Sequence, residues 1–155
     1  MTTENRKDFL PEITMTLKYD KRIPKSDLIQ IRNSNDMFAV LSNVFSADTF
    51  DWKEEMIMIC LSKSNKVLGF YKVSSGGISS TICDPKIIFT VALNCGASSI
   101  VIAHNHPSGN LTPSDADLTI TKKIKEGACI LDMQLIDHLI LADEGYFSFA
   151  DHGKL

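Results

Sequence analysis

Two periods of apolar residues run along this chain, and the switches between them outline its elements. Ile13, Met15, Leu17 and Tyr19 alternate with Thr14, Thr16 and Lys18, which predicts a half-buried strand over 13–19. From Ser34 to Phe45 the period lengthens: Met37, Phe38, Val40, Leu41 and Val44 fall at helical spacing, with Ser34 or Asn35 available as cap. After a polar connector at 46–53, Glu54 to Leu61 and Lys66 to Ser74 are dense apolar runs joined by Ser62-Lys63-Ser64-Asn65, the pattern of a hairpin, which Ser74-Ser75-Gly76-Gly77 ends.

Asp84-Pro85 opens a second helix, because the amide that proline lacks has no partner in a first turn anyway. Ile87, Ile88, Val91, Ala92 and Cys95 form its apolar side and Gly96 its stop. Ser99 to His104 reads as a short buried strand and 106–113 as a loop. A helix from Ser114 to Glu126 follows, ended by Gly127, then a strand from Gln134 to Leu141 and a short one over Tyr146 to Phe149. The order β-β-α-β-α-β-β predicts an α/β fold with a mixed central sheet sandwiched by helices. Residues 1–50 read as an N-terminal appendage of mobile tail, strand and helix, and 51–155 as the core.

At 155 residues, 44% of them hydrophobic and 23% charged, the chain has room for one folded domain and one active centre. Its net charge of −3 supplies no global positive field, so DNA binding is possible but unsupported by charge. No apolar run approaches the ~20 residues that span a bilayer, and the polar start Met1 to Asp8 lacks the apolar region of a signal peptide, so the expected location is cytoplasmic, away from membranes. Cys60, Cys83, Cys95 and Cys129 stand singly among apolar neighbours and predict buried free thiols.

The candidate chemistry lies between the third core strand and the helix after it. His104 and His106, two apart, project from one face while the backbone stays extended, and the loop that follows returns Ser114 and Asp117 to the strand's end. Two neutral imidazoles and a carboxylate make a three-ligand site. Zinc prefers four ligands in a tetrahedron, so the fourth place is left to a water whose pKa falls to about 7. A further carboxylate must then handle the proton, and Glu54 and Glu55 are the candidates. Strand parity puts Glu54 with Met56 and Met58 and Glu55 with Ile57 and Ile59, two apolar faces that parity alone leaves equivalent.

Ser114-x-x-Asp117 also has the form of a helix capping box, which is compatible with metal ligation. A structural zinc site would need a fourth protein ligand, for which His138 is the candidate. Asp137 and His138 otherwise read as a supporting carboxylate and an imidazole lining the substrate groove. Lys122, Lys123 and Lys125 read as a solvated face, His152 as solvated, and Met56 and Met58 as core filling.

The run His104-Asn105-His106-Pro107-Ser108-Gly109, then Pro113-Ser114 and Asp117, and later Asp137-His138-Leu139-Ile140, resembles the RadC-like branch of the JAB/MPN (JAMM) metallohydrolases. The resemblance covers about residues 50 to 153, including Asp84-Pro85-Lys86 and Ser148-Phe149-Ala150-Asp151, with Lys86 where many relatives have arginine. No helix-hairpin-helix segment is recognisable in residues 1–50. The resemblance implies a cytidine-deaminase-like architecture with a zinc ion (Zn2+) on His104, His106 and Asp117. It also implies Ser114 as an aid to the water or the oxyanion, and Glu54 as base. The implied activity is hydrolysis of an amide, peptide or isopeptide bond in a protein or peptide substrate. The family also carries a DNA-repair label, so a non-catalytic nucleic-acid-associated factor with a metal site is the alternative.

Overall fold

The computed structural model describes residues 11–20, 22–76 and 83–155. The tail expected over residues 1–10, and Gly77 at the end of the hairpin, lie outside them. The hairpin strands β1 (Glu55–Leu61) and β2 (Val67–Ser75) pair antiparallel. Strand β3 (Ser99–Asn105) runs antiparallel to β1 on its other side and parallel to β4 (Gln134–Ala142), which pairs antiparallel with β5 (Gly145–Ser148). The sheet is therefore mixed and open, in the order β2-β1-β3-β4-β5. Its helices are α1 (Ser34–Ser42), α2 (Pro85–Asn94) and α3 (Asp115–Ile130), and α3 is the crossover that lets β3 and β4 run parallel.

Helices cover both faces. Met56, Met58, Cys60, Ile100 and Ile102 pack with Ile88 and Ala92 of α2 and Ile124 and Ala128 of α3. Ile57, Ile59, Leu61, Val101, Ala103 and Leu139 pack with Met37 and Leu41 of α1 and with Phe45 beyond it. Central strands buried on two sides read as continuous apolar runs, which is why parity could not tell Glu54 from Glu55. In β4 the register slips, so that Ile100 faces Leu135 while Val101 faces Asp137. Ile136 is the extra residue, and this bulge resets the alternation so that Leu135 and His138 serve the α2/α3 face while Leu139 serves the α1 face.

Four sequence expectations need correction. Residues 13–19 form no strand: they pair with no ladder and stay exposed, Ile13 at 89%. Alternation becomes a strand only where a ladder of backbone hydrogen bonds forms, and on this side of the hairpin the one isolated bridge among the described residues runs from Gln30 to Lys66. The cap of α1 is Asn33, whose Oδ1 accepts from the Asp36 amide at 2.9 Å, because Ser34 is already helical and its hydroxyl donates instead to Asp151. Helix α3 runs through Gly127 to Ile130, because this glycine serves packing: a Cβ there would stand 2.7 Å from the Phe89 ring of α2. All four cysteines are free, but of them only Cys60 is buried: Cys83 and Cys95 are half-buried, and Cys129, one position past buried Ala128 on α3, is exposed. Among the described residues no helix is long and apolar enough to cross a membrane.

Candidate metal centre

His104 lies near the end of β3 with no exposed surface, and His106 follows just beyond, its amide still bonded to the Leu141 carbonyl of β4 at 2.8 Å. The chain then turns back on itself. Gly109 adopts φ +77°, a left-handed conformation suited to glycine, and its amide bonds to the His106 carbonyl at 3.0 Å. This turn brings the Asn110 carbonyl to Nδ1 of His106. A carbonyl only accepts, so Nδ1 carries the proton and Nε2 presents a lone pair.

Helix α3 supplies the carboxylate from its first turn. The capping box is formed in full: the Asp117 amide donates to Ser114 Oγ at 3.2 Å, and the Ser114 amide donates to Asp117 Oδ2 at 2.8 Å. The Ser114 hydroxyl also donates to Oδ2, at 2.6 Å. The cap and the metal site thus share the aspartate, Oδ2 being held by the box while Oδ1 lies 3.2 Å from His104 Nε2.

The three candidate ligands converge. His104 Nε2 and His106 Nε2 are 2.9 Å apart, and His106 Nε2 is 3.9 Å from Asp117 Oδ2. Atoms bound to one tetrahedral zinc ion at about 2.0–2.2 Å stand about 3.3–3.6 Å from each other, so the observed spacings bracket what a shared ion needs. The donor set fits as well, since lone pairs face one another at a place that a cation satisfies. Burial pushes His104 down to about 4, against the pull of Asp117 and with the help of His106, so the ring is neutral at pH 7 as a metal ligand must be. These residues can hold a metal ion.

The two glutamates part company across the sheet. Glu54 lines a cleft of about 180 Å³ with Met56, Cys83, Ala116, Asp117 and Ile120. Glu55 is buried on the other face, where its carboxylate takes Lys72 Nζ and Ser75 Oγ, each at 3.0 Å, and the Thr49 hydroxyl at 3.3 Å. Burial alone would raise its pKa, but these hydrogen bonds and the lysine charge hold it below the usual carboxylate value. Asn105, between the two histidines, points to this second face, donating to the Phe50 and Lys53 carbonyls and accepting the Glu55 amide.

His138 is fully buried and lines no groove. Its Nε2 meets Nδ1 of His104 at 2.8 Å, behind the ligand and outside the cluster formed by His106 and Asp117. Asp137 faces away, accepting the His138 and Ala150 amides and the Ser148 hydroxyl, so it braces the turn after β5 and not the imidazoles. Thr121, which the sequence reading missed, sits buried between Asp117 and His138; its place one helical turn after Asp117 was the available signal. Lys122, Lys123 and Lys125 are exposed, and so is His152, which stacks on Phe147.

An α/β domain that gathers two histidines from a strand end and an aspartate from the next helix has the site plan of the JAB/MPN class. The model of the RadC-like JAB domain matches residues 31–154, and the chain belongs to that family. It is 38% identical over 144 residues to a UPF0758 protein of Flavobacterium johnsoniae, covering 91% of this chain and 62% of that one. A UPF0758 protein of Porphyromonas gingivalis is 35% identical, covering 92% and 63%. UPF0758 protein YfjY of Escherichia coli is 39% identical over 103 residues, 66% of this chain and 64% of its own. The chain thus spans a little under two thirds of the length of these relatives, and their names state no activity.

Proposed function

We propose that this chain is a zinc-dependent hydrolase of the JAMM type, cleaving an amide, peptide or isopeptide bond in a protein or peptide substrate. The observation that carries the reading is the convergence of His104 Nε2, His106 Nε2 and Asp117 Oδ1, with spacings suited to one ion. A zinc ion held by His104, His106 and Asp117 would supply Lewis-acid chemistry, lowering the pKa of a water to about 7 and polarising a carbonyl. The chain's own groups supply the rest. Glu54, in the cleft that Asp117 also lines, takes a proton from the attacking water and returns it to the leaving amine. Ser114, exposed at the start of α3, serves the oxyanion once its hydroxyl proton swings from Asp117 Oδ2 to the developing charge, its oxygen staying held by the Asp117 amide.

Elemental analysis combined with turnover of peptide and isopeptide substrates tests this. The purified protein is expected to hold about one zinc ion per chain, His104→Ala and Asp117→Ala to lose it, and Glu54→Gln to keep it while losing turnover. Full turnover by Glu54→Gln removes Glu54 as the base, and no zinc after incubation with excess metal removes the hydrolase.

A further inference from the structure

His104 has two ring nitrogens, and ligation requires that the proton sit on the one facing away from the site. A set of buried groups makes that choice. Thr121 Oγ1 lies 2.5 Å from the Asp117 carbonyl, which can only accept, so the single hydroxyl proton is committed there. The same oxygen lies 2.6 Å from Nδ1 of His138 and, with its proton spent, must accept. His138 therefore carries its proton on Nδ1, and in the neutral ring Nε2 is left as an acceptor. That Nε2 stands 2.8 Å from Nδ1 of His104, which must then be the protonated nitrogen, leaving the lone pair of His104 Nε2 beside Asp117 Oδ1 at 3.2 Å.

We propose that Thr121 and His138 are positioning residues that fix the tautomer and the ring plane of His104, and so set the affinity of the site for its metal. The inference rests on the metal-site reading above. Its route is closed: it starts at the backbone carbonyl of Asp117, passes through Thr121, His138 and His104, and returns to the Asp117 carboxylate. One helical turn of α3 joins two of its members, and the Ile136 bulge brings His138 onto the face of β4 that needs it. The Phe149 ring stacks on His138 at 4.5 Å and 13°, which favours one plane for its imidazole. His104, Thr121 and His138 are 2% exposed or less, so a partner lost among these three is not readily replaced by solvent.

The arrangement predicts a reversal and not merely a loss. Without the Thr121 hydroxyl, His138 gains nothing from a proton on Nδ1 and can move it to Nε2; it then donates to His104 Nδ1 and drives the His104 proton onto Nε2, where the metal should bind. Two readouts test this on the full chain: zinc affinity by competition with a chromophoric chelator, and imidazole tautomers of the zinc-free protein by long-range proton–nitrogen NMR. Thr121→Val and His138→Leu are expected to bind zinc about 10–100-fold more weakly. Thr121→Ser, which keeps the hydroxyl, and His138→Gln, which keeps an acceptor, are expected to recover most of the affinity. Wild-type His104 is expected as the Nδ1–H form and Thr121→Val as a shift toward Nε2–H.

Unchanged affinity in folded Thr121→Val, or wild-type His104 protonated on Nε2, would overturn the relay. If Thr121→Val does not fold, the contrast between His138→Leu and His138→Gln decides the matter. A wild-type protein that binds no zinc contradicts the metal-site reading, while the NMR measurement still judges the hydrogen-bond direction on its own.

Discussion

The two faces of the sheet bury polar groups on opposite terms. On the α1 face, Glu55, Asn105 and Asp137 each have their acceptors and donors matched within the chain: lysine and hydroxyl donors for Glu55, two carbonyls and an amide for Asn105, two amides and a hydroxyl for Asp137. On the α3 face, His106 and His104 are made acceptors at Nε2 by the groups behind them and are aimed at one another and at a carboxylate. A balanced cluster holds elements together. One with lone pairs in surplus waits for a cation, and burial alone does not make the difference, since His104 is as fully buried as Asn105.

Perturbing each face in turn sharpens this contrast. The largest effect is expected from Asn105→Leu on the balanced face, which strands two carbonyls and an amide: a loss of about 3 kcal/mol in urea unfolding, with the zinc content of the folded fraction unchanged. Next in size is the response of the other face to metal. Free zinc at a hundred times its dissociation constant should stabilise the wild type by about 2.7 kcal/mol and His104→Ala not at all, a difference that thermal melts read directly.

Glu55→Gln should cost about 2 kcal/mol at neutral pH by removing a buried charged acceptor. Because the folded pKa of Glu55 lies below its unfolded value, its contribution is present above the unfolded pKa of about 4.3 and is lost as pH falls through the folded one. The variant's stability should therefore decline less than wild type's between pH 5 and 3 in an unfolding series. The smallest effect is expected for Ser114→Ala, about 1 kcal/mol for the missing cap; a loss of turnover well beyond that, measured at saturating zinc, separates the catalytic use of Ser114 from its structural one.

What the sequence disclosed and what it hid follow from range. His104, His106 and Asp117 were legible because a strand end, a tight loop and a first helical turn are local devices with fixed spacing, and the capping box is written in the same letters. The hairpin and α2 were legible for the same reason. The choice between Glu54 and Glu55 was not, since β1 is covered on both faces and only the positions of Lys72, Ser75 and α3 separate them. Gly127 looked like a stop because nothing nearby in the sequence announces the Phe89 ring that rests on it. Thr121 and His138 meet through a bulge at Ile136, a register slip that an alternation pattern conceals.

X-ray absorption at the zinc edge of the loaded protein puts the central claim to its most direct test. Two imidazoles with oxygen donors at about 2.0–2.2 Å, lost in Asp117→Ala, is the result expected of an open site on His104, His106 and Asp117. A third imidazole, or sulfur at about 2.3 Å, would contradict it by placing the ion on His138 or on a cysteine.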